Sequence, residues 1–136
     1  MLVNTIELKP RFSEIDSMGI VWHGHYVRYF EDGREAFGKE YGLHYLEVYK
    51  NGFLIPIVKL DCNYKKPIFY TDTCIVETSY IDTAAAKIVF SYKIINQESG
   101  DLCATGCSEQ VFINNERELQ LIAPDFYIDW KRKNNI

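Results

Sequence analysis

One carboxylate lies where the sequence changes from a loop to a predicted helix, and this arrangement could act on a reactive carbonyl group. Asp16 belongs to a loop at residues 13–22, and the helix is predicted to begin at about Gly24. The first amides of a helix have no acceptor within it, and they lie at the positive end of its dipole. Such amides can hold a carbonyl oxygen while negative charge develops on it. With a carboxylate facing them, they form the minimum arrangement for acyl transfer.

The same residues also fit less specific roles. An Asp before a helix commonly serves as a turn or cap residue. His23 and His25 are two positions apart rather than four, and they have no obvious third ligand, so no metal site is predicted. The chain contains no GxSxG motif, which is the pattern of one large class of serine hydrolases. From the residues alone, both the catalytic and the capping role of Asp16 stay open.

The elements that must position Asp16 are indicated by the hydrophobic period. Residues 3–12 alternate imperfectly, as a strand does. From about Gly24 aromatic residues and Gly33 recur every three or four positions as far as Tyr41, with polar residues between them, which predicts an amphipathic helix that ends at Gly42. Four strand-like runs follow, separated by turn residues, at residues 53–66, 73–82, 86–97 and 101–114.

This order of elements predicts a single α+β domain over residues 1–136, with one long helix against an antiparallel sheet of five strands. Gly33 and Gly38 inside the helix are explained if the helix presses against the sheet. Residues 45–50 predict a further helical turn, and residues 115–136 predict a short final element and a tail. One helix cannot cover every apolar position of five strands, so a second copy of the chain is expected to bury the rest.

The composition argues against several classes of protein. The net charge is −4, and the basic cluster Lys131–Lys133 lies at the end of the chain, where a solvated terminus is expected. Nucleic acid is therefore not a predicted partner. The N-terminus lacks the features of a signal peptide, and no window approaches the roughly 18 apolar residues of a membrane span. A cytoplasmic protein is expected, with four reduced, structural cysteines at Cys62, Cys74, Cys103 and Cys107.

The run Asp16–Tyr26, followed by Phe30, Glu31 and Arg34, closely resembles the signature of the 4-hydroxybenzoyl-CoA thioesterase family. That family is an Asp-dependent branch of the hotdog superfamily and includes acyl-CoA thioesterases associated with the Tol-Pal system. The resemblance extends from about Glu7 to Phe112, in the family's own order of elements. Two further segments match the family's pattern: Gly42–Tyr45, and Tyr64–Pro67 with Asp72. The first segment is the most specific of the three.

The resemblance implies a fold and an activity. The family's hotdog fold is an antiparallel five-stranded sheet wrapped around one long helix. Two protomers join their sheets, and dimers often pair again, so a homodimer or a dimer-of-dimers homotetramer is expected, with the active site at the dimer interface. The implied reaction is hydrolysis of an acyl-CoA thioester to a carboxylic acid and CoA. Coenzyme A is then part of the substrate, and no separate cofactor is expected.

The resemblance also implies roles for particular residues. Asp16 matches the catalytic carboxylate, which acts as a nucleophile or as a general base for water. The backbone N–H groups at Gly24, His25 and Tyr26 match the group that polarises the thioester carbonyl. His23 matches a histidine beside the catalytic Asp that places substrate or water, and Tyr26 matches a residue that lines the site.

The sequence departs from the family where some members bind the phosphates of CoA. That turn, residues 82–87, offers one lysine, Lys87, so Lys65 and Lys66 are further candidates for binding the nucleotide. Because this end of the substrate is weakly indicated, hydrolysis of acyl-carrier-protein thioesters is an alternative. A non-catalytic acyl-CoA-binding protein is a second alternative. A hotdog dehydratase or hydratase would need an Asp or Glu paired with a His at other positions, which is not found.

Overall fold

An antiparallel sheet of five strands forms the centre of the fold, and the computed structural model describes residues 1–136. Numbered along the chain, the strands are β1 (Val3–Leu8), β2 (Phe53–Leu54), β3 (Ile57–Tyr64), β4 (Cys74–Ile81), β5 (Lys87–Asn96), β6 (Leu102–Val111) and β7 (Ile113–Asn114). The sheet has the order β1–β4–β5–β6–β3, and each neighbouring pair is antiparallel. The short strands β2 and β7 pair with each other separately.

Three α-helices accompany the sheet: α1 (Tyr26–Tyr41), α2 (Tyr45–Lys50) and α3 (Asp125–Lys133). A 3-10 turn at His23–His25 leads into α1. Gly42 ends α1 with a φ of 78°, a left-handed conformation that favours glycine at this position. The predicted long helix, its end at Gly42 and the helical turn at residues 45–50 are confirmed. The fold is the α+β arrangement that the element order predicted.

The predicted close approach of α1 to the sheet occurs at Gly33. A Cβ atom at this position would lie 2.4 Å from Thr78 Oγ1 and 3.0 Å from Val76 Cγ1, both on β4. Three residues earlier, Phe30 is fully buried and stacks on Tyr92 of β5 with 4.6 Å between ring centroids. The helix therefore carries large rings where the sheet leaves room and a glycine where the sheet is close.

Gly33→Ala is expected to lower the free energy of unfolding by about 1–3 kcal/mol, because overpacking outweighs the better helix propensity of alanine. Urea denaturation measures this change. The matched control repeats the substitution in a Thr78→Ala background, where the closest atom is missing, and the cost is then expected to be smaller. An equal cost in both backgrounds would show that contact with Thr78 is not the cause.

Two of the predicted strand runs are each divided in two. The run at 53–66 breaks into β2 and β3 at Pro56, whose nitrogen carries no hydrogen for a ladder bond. The run at 101–114 breaks into β6 and β7 at Phe112, a fully buried residue that is not part of either strand. In both cases the apolar pattern continues through the break, so the spacing of apolar residues alone did not reveal where one strand ends and the next begins.

The expected final element is α3, and it packs against the rest of the chain. Tyr127 and Trp130 are buried, and Trp130 Nε1 donates to the carbonyl oxygen of Tyr41 at 2.7 Å. Lys131 Nζ lies 2.6 Å from Asp82 Oδ1, and its side chain is only 20% exposed. The expectation of a solvated basic terminus is therefore wrong for Lys131, because the helix brings this charge against the turn before β5.

Candidate active site

Backbone pairing holds the loop that carries Asp16. Ile15 and Val21 form an antiparallel bridge across the loop, and Ile20 forms another with Phe69, in the segment that joins β3 to β4. Val21 N–H also donates to the carbonyl group of the residue before Phe69, at 2.8 Å. These contacts fix Asp16 relative to the sheet, which a precise catalytic geometry requires.

The carboxylate of Asp16 has one oxygen bound in a turn and one oxygen without a partner in the chain. Oδ1 accepts a hydrogen bond from the Met18 amide at 2.8 Å. The backbone carbonyl of Asp16 accepts from the Gly19 amide at 3.0 Å, and Gly19 has a φ of 79°. Oδ2 makes no hydrogen bond within the chain. The turn role and an available carboxylate oxygen, which the sequence left as alternatives, are therefore compatible.

Two backbone amides at the start of the helical region have no hydrogen-bond acceptor within that region. The 3-10 turn before α1 begins after Trp22, and the His25 amide donates to the Trp22 carbonyl at 3.0 Å. The amides of His23 and Gly24 come earlier and so have no acceptor within the turn. Of the three predicted donors, the His25 amide is already engaged. The Gly24 amide is therefore a better candidate for a substrate oxygen than the His25 amide, and the His23 amide is equally free.

The side chain of Trp22 packs over Gly24. A Cβ atom at Gly24 would lie 2.1 Å from Cζ3 of the Trp22 indole, which therefore lies directly over the glycine. The indole also contacts the His25 ring edge to face, with 5.3 Å between ring centroids. The exposed indole and the glycine together shape the turn that carries the candidate amide.

A cleft of about 420 Å³ opens beside Asp16, and we call it the Asp16 cleft. Its lining residues are Asp16, Met18, Ile20, Val21, His23, Tyr26, Tyr64, Lys65, Lys66 and Pro67. Five candidates from the sequence, Asp16, His23, Tyr26, Lys65 and Lys66, thus share one cleft, although fifty positions separate the first from the last. The other two predicted residues, Gly24 and His25, lie in the adjoining turn and are not among the lining residues.

Aromatic side chains form one wall of the Asp16 cleft. The rings of Tyr26 and Tyr64 meet edge to face at 4.8 Å, and Tyr64 Oη donates to the His23 carbonyl at 2.7 Å. Burial raises the pKa of Tyr26 from its ordinary value of 10.0 to about 12, which makes loss of the phenol proton still less favourable. The wall thus joins the start of α1 to the end of β3 and presents mostly uncharged surface.

The three candidate lysines are not equivalent. Lys65 and Lys66 both line the Asp16 cleft, and Lys66 Nζ lies 3.2 Å from Asp101 Oδ1 in an exposed ion pair. Lys87 lies at the start of β5, where its Nζ is 2.6 Å from Glu109 Oε1. Within one chain the fold therefore does not bring Lys87 to the cleft, because β5 begins away from the Asp16 loop and an acidic neighbour holds the lysine there.

The family model described as the thioesterase-like superfamily matches residues 10–130. The chain belongs to this superfamily. The match includes the Asp16 loop, α1 and all of the central sheet except β1. The predicted hotdog fold and the predicted class of enzyme, a thioesterase, are confirmed.

Two similar proteins are matched over nearly their whole length. YneP of Bacillus subtilis, whose name provisionally describes it as an acyl-CoA thioesterase, is 34% identical over 130 residues, which are 96% of this chain and 94% of that protein. The crystal structure of a DHNA-CoA thioesterase from Staphylococcus aureus is 32% identical and superimposes with a TM-score of 0.86. The superposition covers 99% of this chain and 90% of the Staphylococcus aureus chain.

A plant relative is matched over a shorter region. The chloroplastic acyl-acyl carrier protein thioesterase ATL3 of Arabidopsis thaliana is 32% identical over 96 residues, which are 68% of this chain and 50% of that protein. The chain therefore corresponds to about half of ATL3. The chain is thus similar to proteins that are named for two different thioester carriers.

Sequence reasoning missed the buried carboxylate of Glu14, which lies in the Asp16 loop but does not line the Asp16 cleft. Its Oε1 accepts from the Arg11 amide at 2.7 Å and from Tyr29 Oη at 2.8 Å, and its Oε2 accepts from Arg28 Nη2 at 2.6 Å. Burial alone would raise the pKa of Glu14. Its hydrogen bonds with Arg11, Tyr29 and Arg28 outweigh burial and hold the pKa below its ordinary value. Its position two residues before Asp16 was the only sequence signal, and a loop residue has no period to mark it as buried.

A second cavity, of about 450 Å³, lies beside α2, and we call it the α2 cavity. None of the predicted catalytic or lysine residues lines it, although Glu31, Arg34 and His44 from the resembling segments do. Its lining residues are Glu31, Arg34, Glu35, Leu43, His44, Tyr45, Leu54, Ile55, Pro56, Ile88, Phe90, Gln110, Ile113 and Arg117. The resembling segments therefore contribute to two cavities rather than to one.

No group of three or more His, Cys, Asp or Glu side chains is arranged so that it could hold a metal ion. No helix combines the length and the apolar character that crossing a membrane would require.

Proposed function

We propose that this chain hydrolyses acyl-CoA thioesters at the Asp16 cleft and releases a carboxylic acid and CoA. The observation that carries the proposal is the carboxylate of Asp16, which has a free Oδ2 in a cleft at the start of α1. Membership of the thioesterase-like superfamily supports the reaction class. The names of the Bacillus subtilis and Staphylococcus aureus proteins support acyl-CoA as the substrate class.

The proposed chemistry needs only a carboxylate and a hydrogen-bond donor, because a thioester carbonyl is electrophilic and its thiolate leaves easily. The Gly24 amide donates to the carbonyl oxygen and stabilises the negative charge that develops there. Asp16 either attacks the carbonyl carbon and forms an anhydride that water hydrolyses, or takes a proton from the attacking water. Both routes release the same acid and thiol.

The other cleft residues have supporting roles in this proposal. His23 places the substrate or the water, and Tyr26 lines the site with a neutral ring. Lys65 and Lys66 attract the phosphates of CoA, whereas Lys87 reaches a substrate only if another subunit brings it there. No cofactor apart from the CoA of the substrate is needed. The cytoplasmic location expected from the sequence stays a prediction.

Acyl-acyl carrier protein is the second candidate substrate, because one relative carries that name. The experiment that separates the two measures release of free thiol from acetyl-, hexanoyl-, palmitoyl- and aromatic CoA esters, and from the matching esters of acyl-carrier protein. Faster hydrolysis of at least one CoA ester is expected, and the best acyl group sets the substrate length. Hydrolysis of carrier-protein esters alone would contradict the CoA proposal. Binding without any hydrolysis would indicate a non-catalytic protein.

We also propose that two copies of the chain join through β3, which forms an open edge of the sheet. Val58 and Leu60 on this strand are 58% and 40% exposed, an unusual position for apolar side chains on an unpaired edge. A second copy that pairs along β3 covers these side chains and satisfies the free backbone groups. Pairing of two such dimers would give the tetramer.

Leu60→Lys is expected to shift the protein to a monomer, because the new charge would be buried between two copies. Light scattering coupled to size-exclusion chromatography measures the mass. The matched control is Thr5→Lys on β1, the opposite edge strand, which is expected to keep the wild-type mass. An unchanged mass for Leu60→Lys, or the same loss of mass in the control, would contradict pairing through β3.

A further inference from the structure

The guanidinium of Arg28 connects the buried carboxylate of Glu14 to the turn at the start of α1. Its Nη2 lies 2.6 Å from Glu14 Oε2 and 3.2 Å from Nδ1 of His25. The Glu14 side chain is only 7% exposed, whereas the Arg28 side chain is 53% exposed. The carboxylate is therefore the fixed point, and it holds an otherwise mobile arginine beside the histidine ring.

This geometry determines which nitrogen of His25 carries the proton. A guanidinium has only hydrogen-bond donors, so Nδ1 of His25 must accept the bond from Arg28. A neutral imidazole that accepts at Nδ1 carries its proton at Nε2. The contact with Arg28 therefore selects the Nε2–H tautomer of His25.

Glu14 also holds the other end of the same turn. Its backbone carbonyl accepts from the Trp22 amide at 2.9 Å. The Trp22 indole lies over Gly24 and contacts the His25 ring. One residue thus fixes the turn at Trp22 through its backbone and at His25 through its side chain, with Gly24 between these two points.

We propose that Glu14 is a positioning residue for thioester hydrolysis. Acting through Arg28, it holds His25 as the Nε2–H tautomer and fixes the turn that presents the Gly24 amide to the substrate. Neither Glu14 nor Arg28 lines the Asp16 cleft, so both act through other residues. This inference rests on the proposed function, because it assumes that the turn beside Asp16 binds the thioester.

Arg28→Gln tests the proposal, because glutamine cannot span both partners as a guanidinium does. With the best acyl-CoA ester, kcat is expected to fall by about 10- to 100-fold, as small misplacements of reacting groups do, while KM changes much less. Long-range ¹H–¹⁵N NMR of the imidazole rings is expected to show loss of the Nε2–H preference at His25. The chain has three histidines, and a His25→Asn variant identifies the His25 signals.

The matched control is Arg132→Gln, which removes an exposed arginine that pairs with Asp129 on α3. It is expected to keep the wild-type kcat and the wild-type signals of His25. Thermal unfolding of both variants shows that they remain folded.

A wild-type kcat in Arg28→Gln overturns the positioning role, whether or not the tautomer changes. An unchanged tautomer at His25 overturns the proposed link of hydrogen bonds from Glu14 through Arg28 to His25. If the wild-type protein hydrolyses no thioester, the proposed function is overturned, and the catalytic part of this proposal is overturned with it. The NMR signals still test the hydrogen bonds between Glu14, Arg28 and His25 independently.

Discussion

Asp16→Asn is expected to lower kcat for acyl-CoA hydrolysis by about 10³-fold or more, which is the order of loss when an enzyme loses its central catalytic group. An amide can neither attack the carbonyl carbon as a carboxylate does nor accept a proton from water at neutral pH. The substitution keeps the shape of the side chain, and Asn Oδ1 can still accept from the Met18 amide that Asp16 Oδ1 contacts at 2.8 Å. The loop is therefore expected to keep its conformation, and KM is expected to change little.

Release of free thiol from the best acyl-CoA ester measures this loss, and thermal unfolding checks the fold. Asp129→Asn on α3 is the matched control, since Asp129 is an exposed Asp far along the chain from the cleft. The control is expected to keep the wild-type rate. Hydrolysis by Asp16→Asn within a few-fold of the wild type would show that Asp16 is a turn residue only.

Glu14→Ala is expected to lower the free energy of unfolding by about 3–5 kcal/mol, as the loss of one partner from a buried charged network does. The substitution leaves the buried Tyr29 hydroxyl and the Arg11 amide without their acceptor, and it removes the partner of Arg28. Urea denaturation measures the change. Glu7→Ala is the control: Glu7 is 54% exposed in a 3.7 Å pair with Lys9, so a change below about 1 kcal/mol is expected.

The same network makes a prediction about pH. The folded-state pKa of Glu14 lies below its ordinary value of 4.5, so its contribution to stability is complete above about that pH and is lost as the pH falls through the folded-state pKa. The stability difference between the wild type and Glu14→Gln is therefore expected to shrink with increasing acidity below pH 4.5. A difference that stays constant from pH 7 to pH 3 would contradict an ionised, hydrogen-bonded Glu14.

The sequence predicted α1 and the strands of the central sheet well. Each of these elements buries one face, so its apolar residues recur with the period of a helix or a strand. The aromatic residues from Tyr26 to Tyr41 indicated α1, and Gly42 marked its end. The helix α3 was not recognised as a helix, because only a few of its side chains are buried and the rest read as a polar tail. The pairing of Lys131 with Asp82 depends on how this tail folds back, and no local pattern reports such a contact.

The site was predictable in part. The chemistry of the residues and the resemblance to a known family each supplied different information about it. Spacing alone offered a carboxylate before a helix and could not distinguish catalysis from a turn. The resemblance implied the catalytic role of Asp16, and Lys65 was a candidate for binding the nucleotide of CoA; the fold brings both residues to one cleft. Glu14 was missed because its partners Arg28 and Tyr29 lie 14 and 15 residues further along the chain and meet it only after the loop has folded.

A crystal structure of the Asp16→Asn protein with an intact acyl-CoA ester tests the central claim most directly. We expect the thioester in the Asp16 cleft, with its carbonyl carbon beside the side chain at position 16 and its carbonyl oxygen within hydrogen-bond distance of the Gly24 amide. A thioester bound with its carbonyl away from position 16, for example wholly within the α2 cavity, would contradict the account.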